Sequence, residues 1–162
     1  VDMARRLEEG IDLRSGRGER LMHGDFCFSN ILYDSRVRRI RAIDPRGLVG
    51  SRPTIFGDTR YDLAKLSHSI LGRYDQIVAG RRRVSRQRAD FEISFEEIPC
   101  QPWLAEALAD LEVDGVRARS DEVTAVMVSL FLSMLPLHGD RPDRQAAFIA
   151  NALRLYLDLD AR

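Results

Sequence analysis

Three polar side chains stand out by their order and spacing: Asp25, Asn30 and Asp44. Asp25 follows His23-Gly24 and leads through Phe26-Cys27-Phe28-Ser29 to Asn30. Asp44 closes the run Ile40-Arg41-Ala42-Ile43 and precedes Pro45. Phosphoryl transfer from a nucleotide needs such a set. A carboxylate must accept or orient the proton of the attacking hydroxyl, and Asp25 fits that task. Magnesium on the triphosphate takes hard oxygen ligands, and the Asn30 amide oxygen and the Asp44 carboxylate fit that one. The same residues also read as turn formers, two in a tight loop and one before a proline.

These side chains meet only if the chain between them doubles back. Ile31-Leu32-Tyr33, a turn at Asp34-Ser35 and the strand Arg39–Ile43 predict a hairpin with Asn30 at its start and Asp44 at its end. A short strand is expected over 20–23 and a Gly/Pro/Ser/Thr-rich loop over 45–59. Helical spacing predicts helices over 3–14 and from Tyr61 to Leu71, the latter presenting Leu63, Leu66 and Ile70 on one face. Three more are expected at about 102–112, 120–137 and 142–158, the middle one capped by Ser120 with Asp121 and Glu122 behind it. Pro142 suits the first turn of the last. The arginine-rich run 81–88 reads as a solvated loop, with phosphate binding as the alternative. Phe91-Glu92-Ile93-Ser94-Phe95 alternates like an exposed strand, and Trp103 reads as a core anchor. The fold class is α+β, mainly α, as a single domain over 1–162.

The run His23-Gly24-Asp25 to Asn30, with Ile43-Asp44 after it, resembles the aminoglycoside phosphotransferase and choline kinase family, a branch of the protein-kinase-like fold. Gly57-Asp58 and Tyr61-Asp62-Leu63-Ala64 resemble the segment leading into that family's next helix. The resemblance implies the helical C-lobe of that fold, with ATP and Mg2+ as cofactors. It implies Asp25 as catalytic base and Asn30 and Asp44 as metal ligands. His23 would hold the loop by packing and hydrogen bonding, and Asp62 would brace it. The acceptor would be a small-molecule hydroxyl of a sugar, amino alcohol or aminoglycoside-like compound. Arg46 would lie near the transferred phosphate; His138, Asp140 and Arg141 read first as helix capping and a turn, with contact to substrate as the alternative. Pro45-Arg46-Gly47 departs from the pattern after the metal aspartate, so the acceptor stays open.

The fold's small lobe supplies a glycine-rich loop and a strand lysine. Ser15-Gly16-Arg17-Gly18 is not such a loop, and the sole lysine, Lys65, lies downstream of Asp44. The expectation is therefore a C-terminal lobe whose partner lobe comes from upstream sequence or another chain, and which transfers phosphate slowly or not at all alone. The alternative is a noncatalytic, kinase-derived binding module; a metal-dependent hydrolase explains the spacing poorly.

Composition agrees with a soluble globular protein. Of 162 residues, 44% are hydrophobic and 31% charged, with zero formal net charge. That balance argues against disorder and against nucleic acid or anionic membrane as partners. Cys27 and Cys100 lack metal or disulfide spacing, which suggests a reducing cytoplasm, with Cys27 as a small apolar loop residue. The apolar stretch Val123–Leu137 is shorter than the roughly 20 residues of a membrane span and reads as a buried core helix. The opening residues lack the apolar core of a signal peptide.

Overall fold

A computed structural model describes Leu7, residues 20–87 and residues 90–161. The helix expected over 3–14 lies outside the described residues, apart from Leu7. The chain is mixed α+β, with about 47% helix and only small antiparallel strand pairs, so helix packing must supply the core.

That core is built from three helices: α1 (Thr59–Ile70), α4 (Asp121–Ser133) and α5 (Pro142–Asp160). Between them in sequence lie α2 (Tyr74–Val78) and α3 (Gln101–Ala109). The central α4 packs on α1 along one side and on α5 along the other. Val123, Met127, Val128 and Phe131 point into the core from α4; Leu63 and Ala64 meet them from α1, and Ala147, Phe148 and Ala152 from α5. The 18-residue stretch Asp121–His138 just reaches the length and apolarity of a membrane span. In this fold the helix stops at Ser133 and buries its apolar face against α1 and α5.

The helix starts follow from their caps. The Ser120 hydroxyl accepts from the Val123 N–H at the start of α4, and the Asp58 carboxylate accepts from the Arg60 N–H at the start of α1. Arg60, almost wholly buried, pairs with Asp58 and with Glu122 of α4, tying the two N-termini together. Burying a guanidinium is tolerable only with such partners.

The strands occur as pairs. β1 (Arg20–Leu21) pairs with β6 (Phe56–Gly57), and β2 (Ile31–Asp34) with β3 (Arg39–Ala42) in the register Ile31↔Ala42 to Asp34↔Arg39. β4 (Leu48–Val49) pairs with β5 (Arg52–Pro53), and β9 (Glu112–Val113) with β10 (Val116–Arg117). The expected loop over 45–59 thus carries three short strands.

Two sequence expectations fail here. The run 81–88 is not a solvated loop: β7 (Arg82–Gln87) pairs with β8 (Asp90–Phe95), and the hairpin packs on α5. Val84, Ile93 and Phe95 face the core cluster while Arg82 reaches Asp143 at 2.7 Å. Val84 is the one apolar residue of the run, so charge hid the strand. Trp103 is no core anchor; it is 65% exposed on α3, which turns Leu104 and Leu108 inward instead.

Candidate active site

The loop 23–30 runs between β1 and β2 and rests against α1. Gly24 has φ +77°, and a Cβ there would lie 2.8 Å from the Cβ of Arg46. Only glycine accepts both the left-handed backbone and that approach. The Arg46 N–H donates to the His23 carbonyl at 2.9 Å, so the segment after Asp44 lies alongside the loop.

One stripe of α1 holds the loop at three points. The Asp62 carboxylate accepts from the N–H groups of His23 (2.6 Å) and Gly24 (2.8 Å). One turn on, Lys65 Nζ lies 2.8 Å from Asp25 Oδ1. One turn further, the Ser69 hydroxyl accepts from the Phe28 N–H at 3.1 Å. Spacings of three and four residues place these side chains on one helix face.

The His23 ring completes the loop. Its Nδ1 accepts from the Asp25 N–H at 3.3 Å, and its Nε2 donates to the Ile43 carbonyl at 2.9 Å. These roles fix one tautomer and tie the loop to the end of β3. Neither nitrogen is left to take a proton from substrate.

Asn30 and Asp44 flank the base of the β2–β3 hairpin. The Ile43 N–H donates to the Asn30 carbonyl at 2.9 Å, which places Asp44 one residue beyond Asn30's partner. Asp44 adopts φ +56°, a conformation that aspartate tolerates better than most residues. Asn30 is buried, and its Nδ2 donates to the Asp25 carbonyl (2.9 Å) and to Asp25 Oδ2 (3.0 Å). With the amide nitrogen so used, its oxygen is the atom left for a metal. Among the described residues no three His, Cys, Asp or Glu side chains converge as a metal cage. One amide and one carboxylate suit Mg2+, which is held by one or two carboxylates together with substrate phosphates.

Asp25, Asp44, Arg46, Lys65 and His68 line one cleft of about 660 Å³, walled on its far side by Leu130, Met134 and Leu137 around the end of α4. A separate, mainly apolar cavity of about 390 Å³ lies against His23, Phe26 and Asp62 and does not include Asp25. Arg46 donates to the Tyr61 hydroxyl at 2.7 Å. The three residues whose alternative reading is substrate contact are not in the cleft lining. His138 packs edge-on to Phe148, Asp140 sits exposed in the turn, and Arg141 pairs with Asp143 at the start of α5.

Burial pushes the Asp25 carboxyl up, but the Lys65 ammonium, helped by Asn30 and His23, outweighs it and holds Asp25 below the ordinary carboxylate value. Asp25 therefore adds stability above its unfolded pKa, and that share is lost as pH falls through its folded value. Replacing Lys65 by Met removes the strongest opposition to burial. Asp25 is expected to titrate at higher pH in K65M than in wild type, read from its side-chain carboxyl resonance. An unmoved titration would show that the ion pair does not exist in solution.

The Asp62 clamp has its own test. Asp62→Ala strands two N–H groups of a half-buried loop and should destabilise the fold by about 2–3 kcal/mol in urea unfolding, with faster hydrogen exchange at Gly24. Wild-type exchange at Gly24 in the variant would exclude the clamp.

The sequence reading singles out Lys65 only because, downstream of Asp44, it is not placed as the strand lysine of a kinase small lobe. Its place beside Asp25, and the roles of His68 and Ser69, went unseen. The signal was available in the spacing Asp62, Lys65, Ser69 on a helix that follows the loop. No protein-family model, curated protein or solved structure matches the chain.

Proposed function

We propose that this chain is the catalytic C-terminal lobe of a small-molecule kinase, related to the aminoglycoside phosphotransferase and choline kinase family. It would transfer the γ-phosphate of ATP to an acceptor hydroxyl. The observation that carries the reading is the Asp62 clamp on the His23 and Gly24 N–H groups. Turn formation alone gives no reason for a distant carboxylate to hold this loop; a loop that must present Asp25 to a cleft does.

In that reaction the acceptor oxygen forms a bond to the γ-phosphorus as the bond to the β–γ bridging oxygen breaks. The acceptor proton passes to Asp25. In the present arrangement Asp25 Oδ1 faces Lys65 and Oδ2 faces Asn30. Lys65 must shift for a hydroxyl to reach Oδ1, and a transferring phosphoryl group is the natural place for its charge. The transition state is loose, so Asp25 acts mainly by orienting the hydroxyl. Mg2+, held by Asn30 and Asp44, would neutralise the phosphates.

The noncatalytic module remains the second reading, favoured by the Lys65 ion pair, which satisfies Asp25 without substrate. Calorimetry with ATP tests the proposal. Binding should require Mg2+ and should weaken at least about tenfold in Asp44→Asn, since even outer-shell partners of a metal matter on that scale. Binding indifferent to Mg2+ and to Asp44 would reject the kinase reading.

A further inference from the structure

We propose that the acceptor held against Asp25 is an uncharged polyhydroxyl compound of the sugar or polyol class, not an amino alcohol or aminoglycoside, and that one of its hydroxyls pairs with Nε2 of His68. The inference rests on the kinase reading above and narrows it.

The charges of the cleft come first. Its carboxylates are Asp25 and Asp44. Asp25 is engaged on both oxygens, and Asp44 belongs to the metal in the kinase reading. On the other side stand Lys65 and Arg46, and Arg46 has no carboxylate partner among the described residues. Among the described residues a cationic acceptor would meet two cations and find no spare acid.

An ammonium can also be held by open aromatic faces. Here they are taken. The Arg46 guanidinium sits 5.9 Å from the Tyr61 ring centre. Tyr74 stacks on His68 at 4.5 Å and on Phe148 at 5.9 Å. Trp103 lies on α3 and does not line the cleft.

His68 supplies the positive argument. It lines the cleft, is 2% exposed, and its Nε2 has no hydrogen-bond partner among the described residues. Buried polar atoms are nearly always paired, so this one points to a partner that arrives with ligand. Nε2 is shielded from water, so a hydroxyl reaches it only when a neighbouring side chain moves. Lys65, one turn away on α1, is the long flexible chain that must shift during catalysis. A hydroxyl can both donate and accept and so suits a neutral imidazole in either tautomer. Leu130, Met134 and Leu137 offer an apolar wall to the C–H face of a sugar ring. The cleft volume suits a small molecule.

The test titrates the 162-residue protein, in Mg2+ and a non-hydrolysable ATP analogue, with matched probes: glucose against glucosamine, and glycerol against choline. Calorimetry reads affinity, and long-range proton–nitrogen NMR reads the ring nitrogens of His68. The neutral member of at least one pair should bind about tenfold or more tightly than its amine, the scale of one satisfied buried hydrogen bond. It should shift the His68 Nε2 resonance. His68→Gln should bind it more weakly while keeping the nucleotide. The proposal is overturned if the amine binds as well or better, if neither class binds, or if Nε2 is unmoved at saturation. Nucleotide binding is read in the same samples. If it persists while the neutral probes fail, only the acceptor class falls; if it is absent, the kinase reading falls as well.

Discussion

Taking the protein from pH 7 to pH 4 is expected to remove about 3 kcal/mol of folding stability through His68 alone. Burial first, then the nearby Lys65 charge, lower its pKa from 6.5 to about 3, with Asp25 opposing weakly. The ring lies between Tyr74 and Phe131, centroids 4.5 and 4.0 Å away. The sign follows from which state takes the proton. The unfolded chain binds it below pH 6.5, whereas the folded chain refuses it until about pH 3. The contribution is therefore complete above the unfolded value and shrinks as pH falls through that window. A loss of this size is a large part of the roughly 5–15 kcal/mol of a typical domain. His68→Phe keeps an aromatic ring between Tyr74 and Phe131 and removes the titration. Urea unfolding at both pH values should show wild type losing about 3 kcal/mol more than H68F. Equal losses would mean that His68 is not buried as a neutral ring.

The second large effect is chemical. In an enzyme completed by a small lobe, Asp25→Asn should lower kcat by on the order of 10²–10⁴, the usual range for a positioned acid or base. The asparagine oxygen can serve Lys65 or the Asn30 amide but not both, so urea unfolding should show a loss of about 1–3 kcal/mol, while the KM for ATP should stay within a few-fold of wild type. A kcat within about tenfold of wild type would remove Asp25 from the reaction and favour the binding module. An unfolded variant is recognised by circular dichroism, and Asp25→Glu then gives a folded protein with the carboxylate displaced.

The helices and the hairpin were legible because their signals are local. Leu63, Leu66 and Ile70 repeat with the helical period, Ser120 caps α4 as expected, and the turn after Asp34 closes β2 on β3. The candidate site was legible where its residues lie in one contiguous motif. What could not be read depends on packing. Trp103 is apolar, yet which way α3 faces is decided by Leu104 and Leu108 filling the core. Arg82 looked solvated because its partner, Asp143, sits on α5, far along the chain. His138 could be read as near substrate from its position at a helix end, but Phe148 claims its ring. His68 carries no local signal on its helix, and only the fold closes two aromatic rings around it.

The clamp on the 23–30 loop also sets an order of assembly. Every bond from α1 to the loop joins residues about forty apart in sequence: His23 and Gly24 to Asp62, Asp25 to Lys65, Phe28 to Ser69. Contacts at that separation carry a loop-closure cost that local helix and hairpin contacts do not. The β2–β3 hairpin can form by itself, and the loop's short-range bonds with it, but the N–H groups of His23, Gly24 and Phe28 stay unpaired until α1 has coiled and docked. In a newly made chain the loop is therefore fully held only after residues 59–70 have emerged and folded. A lesion that merely delays α1 would leave the hairpin in place and Asp25 without its Lys65 partner until the helix arrives.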